Sequence, residues 1–290
     1  MIRSKKALTF ALLSLSLSLL MWSNNSARAT LSISSNTRAP SSPERVGPIA
    51  PATKSVGQGD ARYAEYTFYQ ENGMWVRSWF QCDRAEGVDL MLADSKPNPQ
   101  QYISFNKSQP AQMTFHTLAL KGDEDCAMQR CWWTFTSKSP GAGKIYAVEE
   151  SHYFEPEDGY WTRRYKIGTG TSEQSAESHA QPCRWFPRTR VAVITESQSL
   201  YVTETKTGRL VLRIYDHKRA SNQPTIFLAG GESSLNIAGN IETFTFKNRS
   251  LTYFLNMGVG ENAQADFFVM KRDTVIQRDN SLSYIYLKKS

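Results

Sequence analysis

The densest group of ionisable side chains in this sequence lies between Glu149 and Asp158. If the segment is a strand, Glu150 and His152 share one face, because alternate strand residues do, and could ligate a metal ion. Two of the carboxylates could instead form the acid/base pair of a glycoside hydrolase, with Trp161 as a platform for a sugar ring. The polar members of the group are Glu149, Glu150, His152, Glu155, Glu157 and Asp158.

A structural interpretation of the same segment is a β-hairpin closed at Pro156–Gly159. This hairpin sets His152 opposite Arg163 and Glu149 opposite Lys166, and cross-strand pairs of this kind stabilise a sheet by about 0.2–1 kcal/mol each. The arginine also disfavours His152 as a ligand of a cation. We favour this interpretation, and we expect neither a metal nor a cofactor.

Trp132 and Trp133 are the most suggestive aromatic pair, because they lie beside the closely spaced Cys126 and Cys131. Adjacent strand residues point to opposite faces, so one indole could be exposed and contact a sugar or a protein. Two buried indoles, one in each of two cores, would give the same sequence. We favour burial and keep both tryptophans as candidate ligand-binding residues, together with Trp161, Glu150 and His152.

Three familiar motifs are present only in part. Gly258–Ala263 matches the dinucleotide fingerprint, but a strand pattern follows where a helix is required. Gly141–Lys144 ends like a phosphate-binding loop, but Ile145 replaces the hydroxyl that binds magnesium. Gly231–Ser233 opens like a nucleophile elbow, but Leu235 stands where the second glycine belongs. No catalytic residue is assigned.

The N-terminus has the three parts of a cleavable export signal. Basic residues at positions 3, 5 and 6 precede the apolar run Ala7–Met21, and Ala27–Ala29 gives the small-x-small cleavage pattern. We therefore expect a signal peptide over 1–29 and a secreted or periplasmic protein without a membrane span. Of 34 Lys and Arg, four leave with the signal, so the net charge falls from +7 to near +3. Nucleic acid is not an expected partner.

Four cysteines, Cys82, Cys126, Cys131 and Cys183, fit an oxidising compartment. A zinc site built from all four would need two closely spaced pairs, and there is one. Three disulfide pairings are possible, and the sequence does not choose among them. Our expectation is a local Cys126–Cys131 link and a long Cys82–Cys183 link.

The rest of the chain predicts an all-β protein. Residues 30–59 are rich in Ser, Pro and Thr and predict a disordered linker. Short β-branched and aromatic runs follow, and Asn72-Gly73 is typical of a tight hairpin turn. No segment shows helical periodicity. We expect two consecutive antiparallel β-sandwich or barrel-like domains, an N-terminal one over 60–187 with the four cysteines and a C-terminal one over 188–290.

Two stretches are similar to uncharacterised secreted proteins of cyanobacteria. The first runs from Arg62 to Arg84 and includes Tyr66-Thr67-Phe68-Tyr69, Trp75-Val76 and Trp79-Phe80-Gln81-Cys82. The second is Cys183-Arg184-Trp185 with the β-rich segment after it. The resemblance implies a secreted β protein and no particular activity.

The function favoured by these observations is that of an exported, non-enzymatic binding or envelope-associated protein, with a protein or carbohydrate surface as partner. The alternative is an extracytoplasmic hydrolase that acts on glycan through the carboxylates of Glu149–Asp158. A third hypothesis, a structural subunit of a surface assembly, predicts an unpaired edge strand in the last hundred residues.

Overall fold

Strands make up almost all of the regular structure in the described part of the chain. The computed structural model describes residues 63–92, 101–110, 112–119, 123–127, 130–138, 143–152, 162–219, 221–238 and 240–289. For 63, 91–92, 123–127, 130, 149–152 and 162–165 it describes the backbone alone. The expected signal peptide and linker lie outside these ranges.

The strands are numbered in chain order. The first ten are β1 Tyr63–Glu71, β2 Met74–Asp83, β3 Gly87–Leu92, β4 Gln101–Asn106, β5 Thr114–Thr117, β6 Asp123–Ala127, β7 Arg130–Thr136, β8 Lys144–His152, β9 Thr162–Gly170 and β10 Gln181–Pro182. The remainder are β11 Thr189–Thr195, β12 Gln198–Glu204, β13 Leu210–Asp216, β14 Ile226–Asn236, β15 Ile241–Asn248, β16 Leu251–Gly258, β17 Gln264–Lys271, β18 Thr274–Asp279 and β19 Ser281–Lys289. One α-helix, α1, spans Glu173–Ser178.

All strand pairs are antiparallel, and they form two sheets. The larger sheet has 14 strands in the order β18-β17-β16-β15-β14-β13-β12-β11-β19-β1-β2-β3-β4-β5. The smaller sheet has five strands in the order β10-β9-β8-β7-β6. The predicted all-β, antiparallel fold is confirmed. The Asn-Gly turn is also confirmed, since Asn72 and Gly73 have φ of 50° and 79° between β1 and β2.

Two strands carry the large sheet from one layer to the next. Residues 74–77 of β2 pair with β1, whereas 78–83 pair with β3. In the same way, the first half of β14 pairs with β13 and the second half with β15. Gly231 lies at this change of partner, where an added Cβ would come 2.1 Å from the ring of Phe246. The glycine therefore permits close contact between the two layers.

The largest core lies between two layers of the large sheet. One layer contains β11, β12, β13 and β19, and the other contains β15, β16 and β17. Side chains of β15 alternate between buried and half-buried, so one face packs inward. Strand β11 is buried along its whole length, because its second face is also covered. Each fully buried large side chain contributes roughly 1.5–3 kcal/mol by leaving water. The aromatic members include Phe244, Phe246, Phe267, Tyr284 and Tyr286.

A second core joins β2 and β4 of the large sheet to the small sheet. Phe80 and Cys82 pack there against Trp133 and Phe135 of β7. On the opposite face of the small sheet, Ala176 of α1 packs against buried residues of β8. The small sheet is therefore covered on both faces.

Helix α1 corrects the expectation that the chain lacks helical segments. It has six residues and buries only Ala176, so it is too short to show an apolar period of 3.6. Its start is marked by Ser172, whose side chain accepts a hydrogen bond from the Ser175 N–H.

The β8–β9 hairpin forms, but its predicted register is wrong by one residue. His152 lies opposite Thr162 instead of Arg163, and Glu149 lies opposite Tyr165 instead of Lys166. The core explains the difference, because the buried Ala147 is aligned with the buried Ile167. A slip of one residue would turn one of these two strands inside out.

The predicted division into two β domains at residue 187 remains a prediction, and the large sheet itself runs across that position. Strand β19 pairs with β11 on one side and with β1 on the other. Ile194 and Leu282 share a core with Tyr69, Leu90 and other residues of the N-terminal part.

Candidate ligand-binding surface

Consecutive residues fix segment 183–186 to the end of β2. Cys183 forms a disulfide with Cys82, 101 residues earlier, as expected from the sequence. Arg184 donates from Nη1 to Oδ2 of Asp83 at 2.7 Å, and its backbone N–H donates to the Asp83 carbonyl at 2.6 Å. The segment is therefore held covalently, electrostatically and through its backbone.

The backbone of β6 and β7 is consistent with the expected Cys126–Cys131 disulfide. Cys131 is disulfide-bonded, and Cys126 lies directly opposite it across β6 and β7. The side chain of Cys126 lies outside the described residues.

Asp83 lies at the centre of a buried polar cluster. It forms ion pairs with Lys107 and Arg184, and the Tyr201 hydroxyl donates to its Oδ2 at 2.6 Å. Burial alone would raise the pKa of Asp83. The two cations and the hydrogen bonds lower it by more than burial raises it, so the pKa is below the ordinary value. Asp83 is therefore a carboxylate in the folded protein.

Phe186 extends this anchored segment over the outer face of β12 and β13. Its ring meets Tyr201 edge-on at 5.1 Å and lies nearly parallel to Tyr215 at 6.3 Å. The guanidinium of Arg184 lies 3.8 Å from the centre of the Tyr215 ring. The disulfide and the ion pair thus position an aromatic side chain on the sheet.

Arg213 lies close to two aromatic rings on the same face. Its guanidinium carbon is 4.8 Å from the ring centre of Phe186 and 5.2 Å from that of Phe227. The register of β13 and β14 brings Arg213 and Phe227 together, because the two residues are directly opposite and cross-strand partners share a face. We call the surface formed by Phe186, Arg213 and Phe227 the Arg213 face.

The Arg213 face is accessible, and its charge is uncompensated within the part of the chain that the structure describes. Phe227 is 56% exposed, and Arg213 is half-buried. Arg213 donates from Nη1 to the Thr203 hydroxyl at 2.8 Å, and within the described residues no carboxylate pairs with it. Burial lowers the pKa of Arg213, and Tyr215 partly offsets this. A half-desolvated cation beside an exposed ring can recognise an anion that also has an apolar face.

Sequence reasoning did not find the Arg213 face. The one sequence feature that indicates this face is Arg213 itself, a cation that interrupts the apolar run Leu210–Tyr215. Its aromatic neighbours come from distant segments, and only the sheet register brings them together.

The structure buries one of the two candidate tryptophans and half-buries the other. Trp133 is buried in the second core, edge-on to Trp79 with ring centres 5.0 Å apart. Trp132 is half-buried on the opposite face, where it packs against Tyr146 and Val148 beside α1. The two indoles therefore serve two cores, which is the arrangement that the sequence analysis favoured.

The acidic segment is described only in part. The backbone of Glu149, Glu150 and His152 belongs to β8, but their side chains lie outside the described residues. Trp161 and the carboxylates after His152 lie outside them as well. Their roles as ligand-binding or catalytic residues stay predictions.

A buried serine–histidine pair occurs elsewhere. Ser199 and the Nε2 of His217 are 2.9 Å apart, but Ser199 is fully buried and His217 nearly so. Burial lowers the pKa of His217 to about 4, so the imidazole is neutral near pH 7. Because the serine hydroxyl is inaccessible to substrate, the pair is structural.

A polar cleft of about 320 Å³ lies at the ends of β3, β4 and β5, with Phe105 in its lining. Its cation, Arg84, is already paired with Asp89 through two hydrogen bonds of 2.5 and 3.1 Å. The cation in this cleft is therefore already paired with a carboxylate, unlike Arg213 within the described residues.

Strand β18 forms one edge of the large sheet, and within the described residues its sole strand partner is β17. This matches the edge that the structural-subunit hypothesis requires. The register shifts between Val269 and Met270, and Arg278 and Asp279 add charge to the strand. A bulge and charged residues discourage edge-to-edge pairing.

The described residues contain no cluster of three or more His, Cys, Asp or Glu that could hold a metal ion. Within the same ranges, no helix has the length and apolar character needed to cross a bilayer. No known family model matches the chain, and no curated protein or solved structure shows significant similarity to it. The similarity to cyanobacterial secreted proteins therefore remains an expectation.

Proposed function

We propose that this chain is an exported, non-enzymatic protein that binds a partner in the cell envelope through the Arg213 face. The observation that carries the proposal is the exposed Phe227 ring beside a half-buried arginine with no described carboxylate partner. Arginine and aromatic side chains supply much of the binding energy at protein surfaces. Export is supported by the N-terminal signal pattern and by the disulfide bonds.

The position of the Arg213 face also supports recognition. It lies on paired strands in the interior of a sheet, and Phe186 is held there by the neighbouring disulfide and ion pair. A preorganised surface of this kind loses little conformational entropy on binding.

Equilibrium co-sedimentation with the envelope fraction of the producing cells tests this proposal. We expect saturable binding by the exported chain and a loss of about 10–100-fold in affinity for Arg213→Gln, as removal of a charge-assisted hydrogen bond implies. Phe227→Ala should also weaken binding. Absence of saturable binding, or equal binding by Arg213→Gln, would refute the proposal.

Arg278→Gln is the matched control. Arg278 lies 5.3 Å from the ring centre of Phe268, which is close to the Arg213–Phe227 distance, but it already pairs with Asp266. Its replacement should leave binding unchanged. A loss equal to that of Arg213→Gln would indicate a general charge effect.

The alternative hydrolase function is tested at Glu150, which the sequence places in the acidic group. Glu150→Gln should leave any glycan turnover by the purified chain unchanged. A large loss of turnover would favour the hydrolase over a binding protein.

A further inference from the structure

The donors of Arg213 indicate what kind of anion the Arg213 face accepts. A guanidinium has five N–H donors, and the described residues engage Nη1 of Arg213 through Thr203. The donors that are left match the two oxygens of a carboxylate, which arginine binds in a bidentate manner. The charge of the bound group is therefore best supplied by a carboxylate.

Phe227 sets a second requirement. Its exposed ring centre is 5.2 Å from the Arg213 guanidinium carbon, so one small ligand group can reach both. Such a group needs an apolar face for the ring and a carboxylate directly beside that face. In a hexuronate the carboxylate is attached to the pyranose ring, and the C–H bonds of that ring form an apolar face.

We propose that the Arg213 face binds a hexuronate residue of an acidic polysaccharide. This inference rests on the proposed function and names its ligand class. The pyranose ring stacks on Phe227 while its carboxylate pairs with Arg213. The ring centre of Phe186, 4.8 Å from the same guanidinium carbon, helps to hold the guanidinium in place for this contact.

The sheet position excludes an acidic peptide that binds by strand addition. Strand β13 is paired with β12 on one side and with β14 on the other. Its backbone therefore has no free edge to which a peptide strand could add. A ligand on this surface must be held by side chains, as a stacked sugar ring is.

Calorimetric titration of the exported chain with a galacturonate oligomer tests the inference. The same oligomer with methyl-esterified carboxylates is the matched ligand, because esterification removes the charge and keeps the ring. We expect binding of the acidic oligomer, and a loss of at least about tenfold on esterification or in Arg213→Gln. Added salt should also weaken the binding.

Two further variants and one further ligand complete the design. Phe227→Ala should weaken binding of the acidic oligomer, whereas Arg278→Gln should not. Poly-glutamate should not compete. Circular dichroism and the urea midpoint of each variant establish that the fold is retained, and Phe227→Ala keeps the test valid if Arg213→Gln misfolds.

Each result separates this inference from the proposed function. Equal binding of the esterified oligomer, or competition by poly-glutamate, refutes the assignment of a hexuronate as the ligand. Envelope binding that depends on Arg213 without any uronate binding also overturns it and leaves the proposed function standing. If the wild-type chain binds neither the envelope fraction nor the uronate oligomer, both proposals are refuted.

Discussion

Asp83 and Arg184 form a buried ion pair, 2.7 Å between Oδ2 and Nη1, one residue beyond the disulfide that joins Cys82 to Cys183. The covalent bond and the ion pair therefore act on the same two chain segments. Phe186 lies two positions after Arg184 and completes one side of the Arg213 face. Stability at Asp83 and geometry at the surface are thus linked through the four-residue segment 183–186.

The long disulfide should contribute substantially to stability. We expect the double variant Cys82→Ser/Cys183→Ser to lose about 2–5 kcal/mol of unfolding free energy, because the bond closes a long loop in the unfolded chain. Urea unfolding measures the loss. The variant Cys126→Ser/Cys131→Ser is the control and should lose less, because those positions are close in sequence. An equal loss in both, or none in the first, would contradict this.

Neutralising Asp83 should lower the unfolding free energy far more than neutralising an exposed carboxylate. Asp83→Asn leaves the buried Lys107 and the half-buried Arg184 without their carboxylate, at an expected cost of about 3–5 kcal/mol. Asp266→Asn breaks the exposed pair with Arg278 and should cost about 0–1 kcal/mol. Chemical denaturation of both variants tests the contrast, which fails if the two losses are similar.

His217 should make the protein less stable in mild acid. Burial, followed by the positive charge of Lys107, lowers the pKa of its imidazole from 6.5 to about 4. As the pH falls from 6.5 to 4, the unfolded chain binds a proton that the folded chain does not, so unfolding becomes more favourable by up to about 3 kcal/mol. The stabilisation is fully present above pH 6.5.

Unfolding free energies of the wild type and His217→Gln at several pH values between 7 and 4 measure this slope. The unfolding free energy of the variant should depend less steeply on pH, since the glutamine side chain does not titrate. The remaining histidines are present in both proteins, so the difference between the two slopes reports on His217. Parallel slopes would show that His217 is not the responsible group.

Cleavage of the signal should leave Thr30 as the first residue of the exported chain, because Ala27–Ala29 gives the peptidase pattern. Mass spectrometry of the protein isolated from outside the cytoplasm tests this directly. Retention of residue 1 would contradict export by cleavage.

Local rules predicted much of the fold. Asn72-Gly73 specified its turn, because its positive φ angles depend only on those two residues. The strand after Gly258–Ala263 is predicted by its aromatic and β-branched residues, and Gln264–Lys271 forms it. Helix α1 was missed because six residues are too few to show a period.

Features that depend on distant segments could not be predicted. The β8–β9 register was misjudged by one residue, since the burial of Ala147 and Ile167 decides it rather than charge pairing. The Arg213 face was missed for the same reason. Phe186 and Phe227 meet Arg213 only after a disulfide and two strand pairings are in place.

Hydrogen–deuterium exchange of the exported chain with and without saturating envelope fraction locates the binding surface directly. We expect slower exchange in peptides that cover β13, the first half of β14 and segment 183–186, with no change in β18. Protection confined to β18 or to the acidic end of β8 would contradict the Arg213 face as the binding surface.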